Sequence, residues 1–118
     1  MENFAAWLTL FNLSWMMAHE LDAIQQREWR IFPLTALLPD RLGYVLFVSL
    51  HIPLLPLLFA WGPDPRFQAG FSVFLIVHLG LHLALCNHPR HLFKNAFSWV
   101  LIAGGAALGA LHLLLGAL

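Results

Sequence analysis

FAAWLTLFNLSWMMAHELDAI, residues 4–24, decides the fold: it is a long apolar run that ends with an imidazole and two carboxylates. A helix needs about 20 mostly apolar residues to cross the hydrocarbon core of a bilayer, and this run is long enough. Ionisable side chains are costly at membrane depth, where they mark functional sites. We therefore take His19, Glu20 and Asp22 as the start of a site at the end of a membrane helix.

The composition of the whole chain agrees with a membrane location. Of its 118 residues, 60% are hydrophobic and 10% are charged, whereas about 25% are charged in an average soluble domain. The length favours one domain, 1–118. Basic and acidic residues balance at 6 each, so we expect membrane lipid and no nucleic acid as a partner. The single cysteine, Cys86, excludes an intrachain disulfide.

Three further apolar runs predict three more membrane helices. With the first run, the predicted spans are residues 4–24, 42–61, 67–86 and 96–118. We therefore predict an all-α fold, a four-helix transmembrane bundle. The connection Gly62-Pro63-Asp64-Pro65 has the composition of a tight turn, so the second and third helices should be antiparallel neighbours. Pro53 and Pro56 should kink the second helix.

The basic residues predict the orientation of this bundle. Loops on the cytoplasmic side of a membrane carry an excess of lysine and arginine. One side of the bundle has only Arg66, and the other has five basic residues: Arg27, Arg30, Arg41, Arg90 and Lys94. The second side is then cytoplasmic, and both termini lie on the non-cytoplasmic side.

Histidines on three of the helices are predicted to lie at similar depth. Helices rise about 1.5 Å per residue, which places His19, His51, His78 and His82 in the cytoplasmic half of the bundle. His78 and His82 are four residues apart and share one helix face. His19 and Asp22 are three apart and also share a face. A common depth is expected of residues that form one site.

Imidazoles from three helices together with a carboxylate form a typical ligand set for zinc, iron or manganese. The predicted metal ligands are His19, Asp22, His51, His78 and His82. Glu20 points about 100° away from His19 around the helix. We expect Glu20 either to act as a general acid or base, or to pair with Arg27 or Arg30 in a structural salt bridge.

The remaining histidines have a structural interpretation. His112 shares a helix face with Gly105 and Gly109, where small residues let helices approach closely. It would bond a backbone carbonyl of a neighbouring helix. His88 and His91 lie in the second cytoplasmic loop, where they would make contacts within the loop or with lipid headgroups.

Short motifs are spread along most of the chain: His19-Glu20-Leu21-Asp22-Ala23-Ile24, Glu28-Trp29-Arg30, His51-Ile52-Pro53-Leu54, Leu81-His82 and Asn87-His88-Pro89. Together they resemble a small, uncharacterised family of bacterial four-span membrane proteins with a His-Glu-Leu-Asp-Ala motif. The chain also resembles, more loosely, the HXXEE-type integral membrane proteins, although Asp22 and Ala23 stand where those proteins have glutamates. The resemblance implies four spans, a bacterial inner-membrane location and importance for His19 and Asp22. It implies no substrate.

Four functions stay open at this point. The first is a metal-dependent enzyme in the cytoplasmic half of the bundle, acting on a lipophilic substrate. The second is a metal-free proton relay, isomerase or small transporter, which at this length would need a homo-oligomer. The third, less favoured, is haem binding through histidines on two helices, such as His51 and His82. The fourth is a structural or accessory membrane protein. We favour the first two.

Overall fold

The computed structural model describes residues 2–117, and the side chains of residues 4–117. This part of the chain contains four long helices and a short 3₁₀ turn, and it contains no strand. The helices are α1 (Glu2–Gln25), α2 (Asp40–Trp61), α3 (Pro65–Leu85) and α4 (Ala96–Gly116), and the 3₁₀ turn is Glu28–Arg30. The predicted all-α class and the number of helices are therefore confirmed.

Within the described residues, three of the helices are long and apolar enough to cross a membrane. They are α2, α3 and α4, with mean hydropathies of 2.0, 1.6 and 1.8. Only 11% of the most apolar stretch of α2, 18 residues long, is buried inside the protein. Ile52 and Phe59 on α2 are 74% and 76% exposed. So much exposed apolar surface on one helix suits contact with lipid. These helices are consistent with an integral membrane protein.

The helix α1 is not among the three apolar helices, although it has 24 residues. Its last two turns carry His19, Glu20 and Asp22, which lower its hydropathy. The predicted first span, 4–24, and the predicted side of the termini stay predictions.

Polar caps explain where α3 and α4 begin. The Asp64 side chain accepts a hydrogen bond from the backbone N–H of Arg66 (2.8 Å), and Pro65 occupies the first helical position. The Asn95 side chain caps α4 in the same way and accepts a hydrogen bond from the backbone N–H of Ser98 (2.8 Å).

The two internal prolines of α2, Pro53 and Pro56, do not end that helix, which continues to Trp61.

The helix α4 packs closely against α3 and α1, because small residues on α4 let it approach them. A Cβ added to Gly109 would lie 2.7 Å from the carbonyl oxygen of Ser72 on α3. Gly104 leaves room for the indole of Trp15, which donates a 2.8 Å hydrogen bond to a backbone carbonyl of α4. Nδ1 of His112 lies 3.0 Å from the hydroxyl of Ser72. His112 therefore joins two helices, but through a side chain and not through the expected backbone carbonyl.

The helix α2 stands apart from this three-helix packing, and its main contacts are with the 3₁₀ turn. Although a tight turn joins α2 to α3, a cleft separates α2 from α3 and from α1. The loop between α1 and α2 therefore decides where α2 lies.

That loop begins with a reversal of the backbone at Arg27. This residue has φ 54° and ψ 48°, the left-handed conformation, and it is the only non-glycine residue with positive φ in the described chain. The reversal ends α1 and turns the 3₁₀ turn back toward the bundle. Glu28 and Trp29, which follow directly, are both 7% exposed.

Candidate metal centre

Four buried side chains converge between α1, α3 and the 3₁₀ turn. They are His19 of α1, Glu28 of the turn, and His78 and His82 of α3, and one ligand atom from each lies within 4.8 Å of the others. Their exposed fractions are 1%, 7%, 9% and 3%, respectively. We name this set the His₃Glu cluster.

The separations within the His₃Glu cluster match those of ligands around one small ion. Nε2 of His78 and Nε2 of His82 are 3.2 Å apart. Oε1 of Glu28 lies 3.6 Å from Nε2 of His78 and 3.4 Å from Nε2 of His82. Oε2 of Glu28 lies 3.4 Å from Nε2 of His19. Ligands of a tetrahedral zinc ion with bonds of about 2.0–2.1 Å are about 3.3 Å apart. The residues present therefore fit a metal ion.

Polar atoms without partners support the same interpretation. Both ring nitrogens of His19 and Oε2 of Glu28 are buried and make no hydrogen bond. Buried polar atoms in folded proteins nearly always have a partner, and each exception requires an explanation. A cation bound between these residues would give the inward-facing atoms a partner.

The charge on Glu28 suits a metal ligand. This residue lies in the loop, outside the membrane-spanning helices. Burial raises the pKa of its carboxyl group, but interactions with the imidazoles of His19, His78 and His82 outweigh burial and hold the pKa well below 4.5. Glu28 is therefore an anionic carboxylate at neutral pH.

A fourth histidine, His91, supports the cluster from behind. It is fully buried, and its Nε2 lies 3.0 Å from Nδ1 of His82. Burial, together with the charges of His82 and Lys94, lowers the pKa of His91 to about 4, so its ring is neutral at pH 7. Histidines that bind metals usually donate their other ring N–H to such a partner. If His82 donates from Nδ1 to His91, its Nε2 lone pair faces the cluster.

His91 lies in the predicted loop, but its side chain is fully buried, so the alternative that it contacts lipid headgroups is wrong. The loop that carries His91 folds under α3, where His91 packs beside Phe93 and Trp99. Hydropathy gave no sign of this burial, because a histidine between a proline-containing turn and a lysine is typical of an exposed loop.

Of the five predicted metal ligands, the structure brings His19, His78 and His82 together. It places Asp22 and His51 elsewhere. Oδ1 of Asp22 accepts a hydrogen bond from Gln26 (3.3 Å). His51 pairs with Glu20 instead. Metal binding by any of these residues stays a prediction.

The pair formed by Glu20 and His51 joins α1 to α2. Oε2 of Glu20 lies 2.8 Å from Nε2 of His51, and Nδ1 of His51 lies 2.9 Å from the carbonyl oxygen of Phe47. Arg27 or Arg30 was the predicted salt-bridge partner of Glu20, but in the structure the partner is His51. The proposed role of Glu20 as a general acid or base stays a prediction.

Glu28 is a member of the site that was not predicted from the sequence. The segment around Glu28 was expected to lie in the headgroup layer. The motif Glu28-Trp29-Arg30 was the one available signal, but helical periodicity cannot relate Glu28 to His19 across the end of α1. Only the backbone reversal at Arg27 brings the carboxylate back to the histidines.

Polar contacts with Asp40, the first residue of α2, hold the 3₁₀ turn in place. Arg30 donates two hydrogen bonds to the Asp40 carboxylate, at 2.6 and 3.0 Å. The indole N–H of Trp29 donates a third, at 3.0 Å. Thr35 closes the loop by donating to the carbonyl oxygen of Trp29 (2.7 Å). These contacts fix the two residues after Glu28 and so restrict where its carboxylate can lie.

The His₃Glu cluster opens into the cleft between α1, α2 and α3. The cleft has a volume of about 700 Å³. Glu28, His78 and His82 line one part of its wall, and the pair Glu20–His51 lines another. Most other lining residues are leucine, methionine or phenylalanine. An apolar cleft with a few convergent polar groups is typical of a small-molecule site.

Comparisons with known proteins add a family but no activity. No curated protein and no solved structure matched the chain. A protein-family model matches residues 5–118, nearly the whole chain. This agrees with the expected membership of an uncharacterised family. It does not test the bacterial origin, the His-Glu-Leu-Asp-Ala motif or the HXXEE resemblance, which stay predictions. The chain therefore belongs to DUF6713, a family of unknown function.

Proposed function

We propose that this protein is a membrane metalloprotein that binds one divalent ion through the His₃Glu cluster. The observation that carries the proposal is the geometry of His19, Glu28, His78 and His82, whose ligand atoms lie within 4.8 Å of one another and make four contacts of 3.2–3.6 Å. Buried ionisable groups in a membrane protein are costly, and they are retained where they serve a function. Three imidazoles and one carboxylate aimed at a common point provide that function as a ligand set.

The donor set favours zinc or iron over manganese. Imidazole nitrogen suits zinc, copper, iron and nickel, whereas manganese and magnesium prefer sites made mainly of oxygen. A set of three imidazoles and one carboxylate favours zinc first. Haem is a weaker candidate, because His51, one of the two histidines considered for it, is already engaged by Glu20 and by the carbonyl oxygen of Phe47.

The position of the ion suggests an enzyme that acts on a lipophilic molecule. A metal ion can polarise a carbonyl group or activate water, and His78 and His82 line the apolar cleft. Glu20 lines the same cleft and would act there as general acid or base. The main alternative is a metal-free proton relay, isomerase or transporter that uses the same residues. The structural role suggested for polar groups in an accessory protein is supported at His112, through its bond to Ser72, and at the pair Glu20–His51, which joins α1 to α2.

The proposal also covers the membrane topology. We propose that α1 crosses the membrane in addition to α2, α3 and α4, and that both termini lie on the non-cytoplasmic side. The cluster would then lie in the cytoplasmic half of a bacterial inner membrane. The apolar exposure of α2 supports a lipid or a second copy of the chain as its neighbour. These features are tested by topology mapping of each loop.

Elemental analysis of the protein purified in detergent tests the proposal. We expect about one zinc or iron ion per chain. Glu28→Gln and His78→Gln should lose most of this metal, because each removes a ligand. Two matched controls should retain it: Glu20→Gln changes the other cleft glutamate, and His112→Gln changes a histidine bonded to Ser72, away from the cluster. A folded wild-type protein without metal would overturn the proposal, and a visible absorption spectrum would reveal haem.

A further inference from the structure

The metal-loaded cluster would carry one uncompensated positive charge. A divalent ion brings two positive charges, the three imidazoles are neutral when they bind it, and Glu28 contributes one negative charge. An unbalanced charge beside a largely apolar cleft is costly, and proteins commonly neutralise it. An anionic group bound in the cleft beside the ion would neutralise this charge.

The pair Glu20–His51 does not supply that charge. Nδ1 of His51 faces the carbonyl oxygen of Phe47 at 2.9 Å, so Nδ1 carries a hydrogen and donates it. Nε2 of His51 and Oε2 of Glu20 then share one proton across their 2.8 Å contact. Whichever partner holds that proton, the histidine and the glutamate together are neutral. Asp22, the other carboxylate in the last two turns of α1, is not among the residues that line the cleft.

The shape of the cleft indicates what kind of molecule brings the charge. Beyond Glu20, His51 and His78, the cleft continues along the three helices to Leu13, Leu58 and Phe71. Each of these residues is seven positions from the polar residue on its own helix, which corresponds to about 10 Å. The lining between them is apolar. The cleft therefore combines a polar region that needs an anion with an apolar extension parallel to the helices.

We propose that the cleft binds a long-chain carboxylate, with its carboxylate group as an additional ligand that raises the coordination number of the metal ion from four to five and its alkyl chain along the apolar extension. This inference rests on the proposed metal centre and names the class of ligand that the centre takes. A single carboxylate neutralises the site, whereas an alcohol leaves it charged and an amine adds a second charge. Carboxylate oxygen is also an ordinary ligand of zinc and iron.

A competition experiment with the zinc-loaded protein in detergent tests the head group. Radiolabelled palmitate is the probe, and unlabelled palmitate, hexadecanol and hexadecylamine are the competitors with the same chain. We expect palmitate to compete at least about tenfold better than either of the others. Chelation of the metal should remove this preference. In the cobalt-substituted protein, palmitate should change the visible spectrum and hexadecanol should not.

A matched pair of α2 variants tests the position of the chain. Leu54 lines the cleft and Leu57 does not, although they are 41% and 42% exposed. Leu54→Trp should weaken palmitate binding at least about tenfold, because the indole fills the cleft. Leu57→Trp should bind as wild type. Metal content, measured in both variants, reports folding. Leu13→Trp on α1 repeats the test if Leu54→Trp loses metal.

The possible outcomes distinguish this inference from the proposed metal centre on which it rests. A folded protein without metal would overturn both the metal centre and the carboxylate inference. A metal-loaded protein that binds palmitate and hexadecanol equally, or binds neither, overturns the carboxylate inference and leaves the metal centre in place. Unchanged binding by metal-loaded Leu54→Trp and Leu13→Trp would likewise place the alkyl chain outside the cleft and overturn it.

Discussion

Oε1 of Glu28 lies 3.4 Å from Nε2 of His82, and this contact joins the loop after α1 to the last turn of α3. Glu28 is anionic, and His82 presents a nitrogen lone pair toward it when its other nitrogen donates to His91. A lone pair and an anion facing each other at this distance repel, unless a proton or a cation lies between them. The contact therefore connects the loop conformation directly to occupancy of the cluster.

Asp40→Asn should weaken metal binding without removing a ligand. The Asp40 carboxylate accepts hydrogen bonds from Trp29 and Arg30, so its loss frees the turn that positions Glu28. We expect metal affinity to fall by about tenfold, as for other residues that orient metal ligands. Titration with a chelator of known affinity measures the change. The control is Asp64→Asn, which alters the cap of α3 and should leave metal affinity unchanged. Equal affinities for wild type and Asp40→Asn would contradict this role.

His91→Ala should also weaken metal binding, by about tenfold or more. His91 contacts Nδ1 of His82 at 3.0 Å, and its removal leaves that buried nitrogen without a partner and the ring free to rotate. The same chelator titration applies. His88→Ala provides the control, since His88 is exposed in the same loop and contacts the backbone of Arg90. If the two variants bind metal equally well, His91 does not orient His82.

Arg27→Gly should stabilise the fold, and Arg27→Val should destabilise it. Glycine adopts the left-handed conformation at φ 54° without the steric cost of about 1–2 kcal/mol that a side chain adds. Glycine also gives the unfolded chain more conformational entropy, which offsets part of this gain in stability. We expect a net gain of about 0.5 kcal/mol for glycine and a loss of about 1 kcal/mol or more for the β-branched valine. Reversible unfolding in mixed micelles gives both values. Equal stability of the two variants would show that the backbone at this position relaxes freely.

Gly109→Ala should separate α4 from α3. The added Cβ would meet the carbonyl oxygen of Ser72 at 2.7 Å, and backbone cannot move aside as a flexible side chain can. We expect a loss of about 1–3 kcal/mol, measured by the same unfolding assay. Gly116→Ala places the same methyl group on the same helix with nothing within 4 Å, so its stability should equal that of wild type. If Gly109→Ala unfolds with the same free energy as wild type, α3 and α4 pack less closely than the 2.7 Å distance requires.

The sequence by itself determined the helices. Apolar runs of about 20 residues have one stable conformation in lipid, because every backbone polar group must be satisfied within the helix. The predicted spans 42–61 and 67–86 therefore agree closely with α2 (Asp40–Trp61) and α3 (Pro65–Leu85). The four-residue spacing of His78 and His82 placed them on one face, as the 3.2 Å contact between them requires.

Only the tertiary structure decided which carboxylate meets the histidines. Periodicity relates residues on one helix, but the rotation of that helix relative to its neighbours depends on packing between them. His51 and His19 were predicted at similar depth, yet the packing of α2 turns His51 toward Glu20. Glu28 enters the cluster through the left-handed backbone at Arg27 and the contacts of the following turn with Asp40. Such contacts join residues across a loop, where no sequence period carries information about distance.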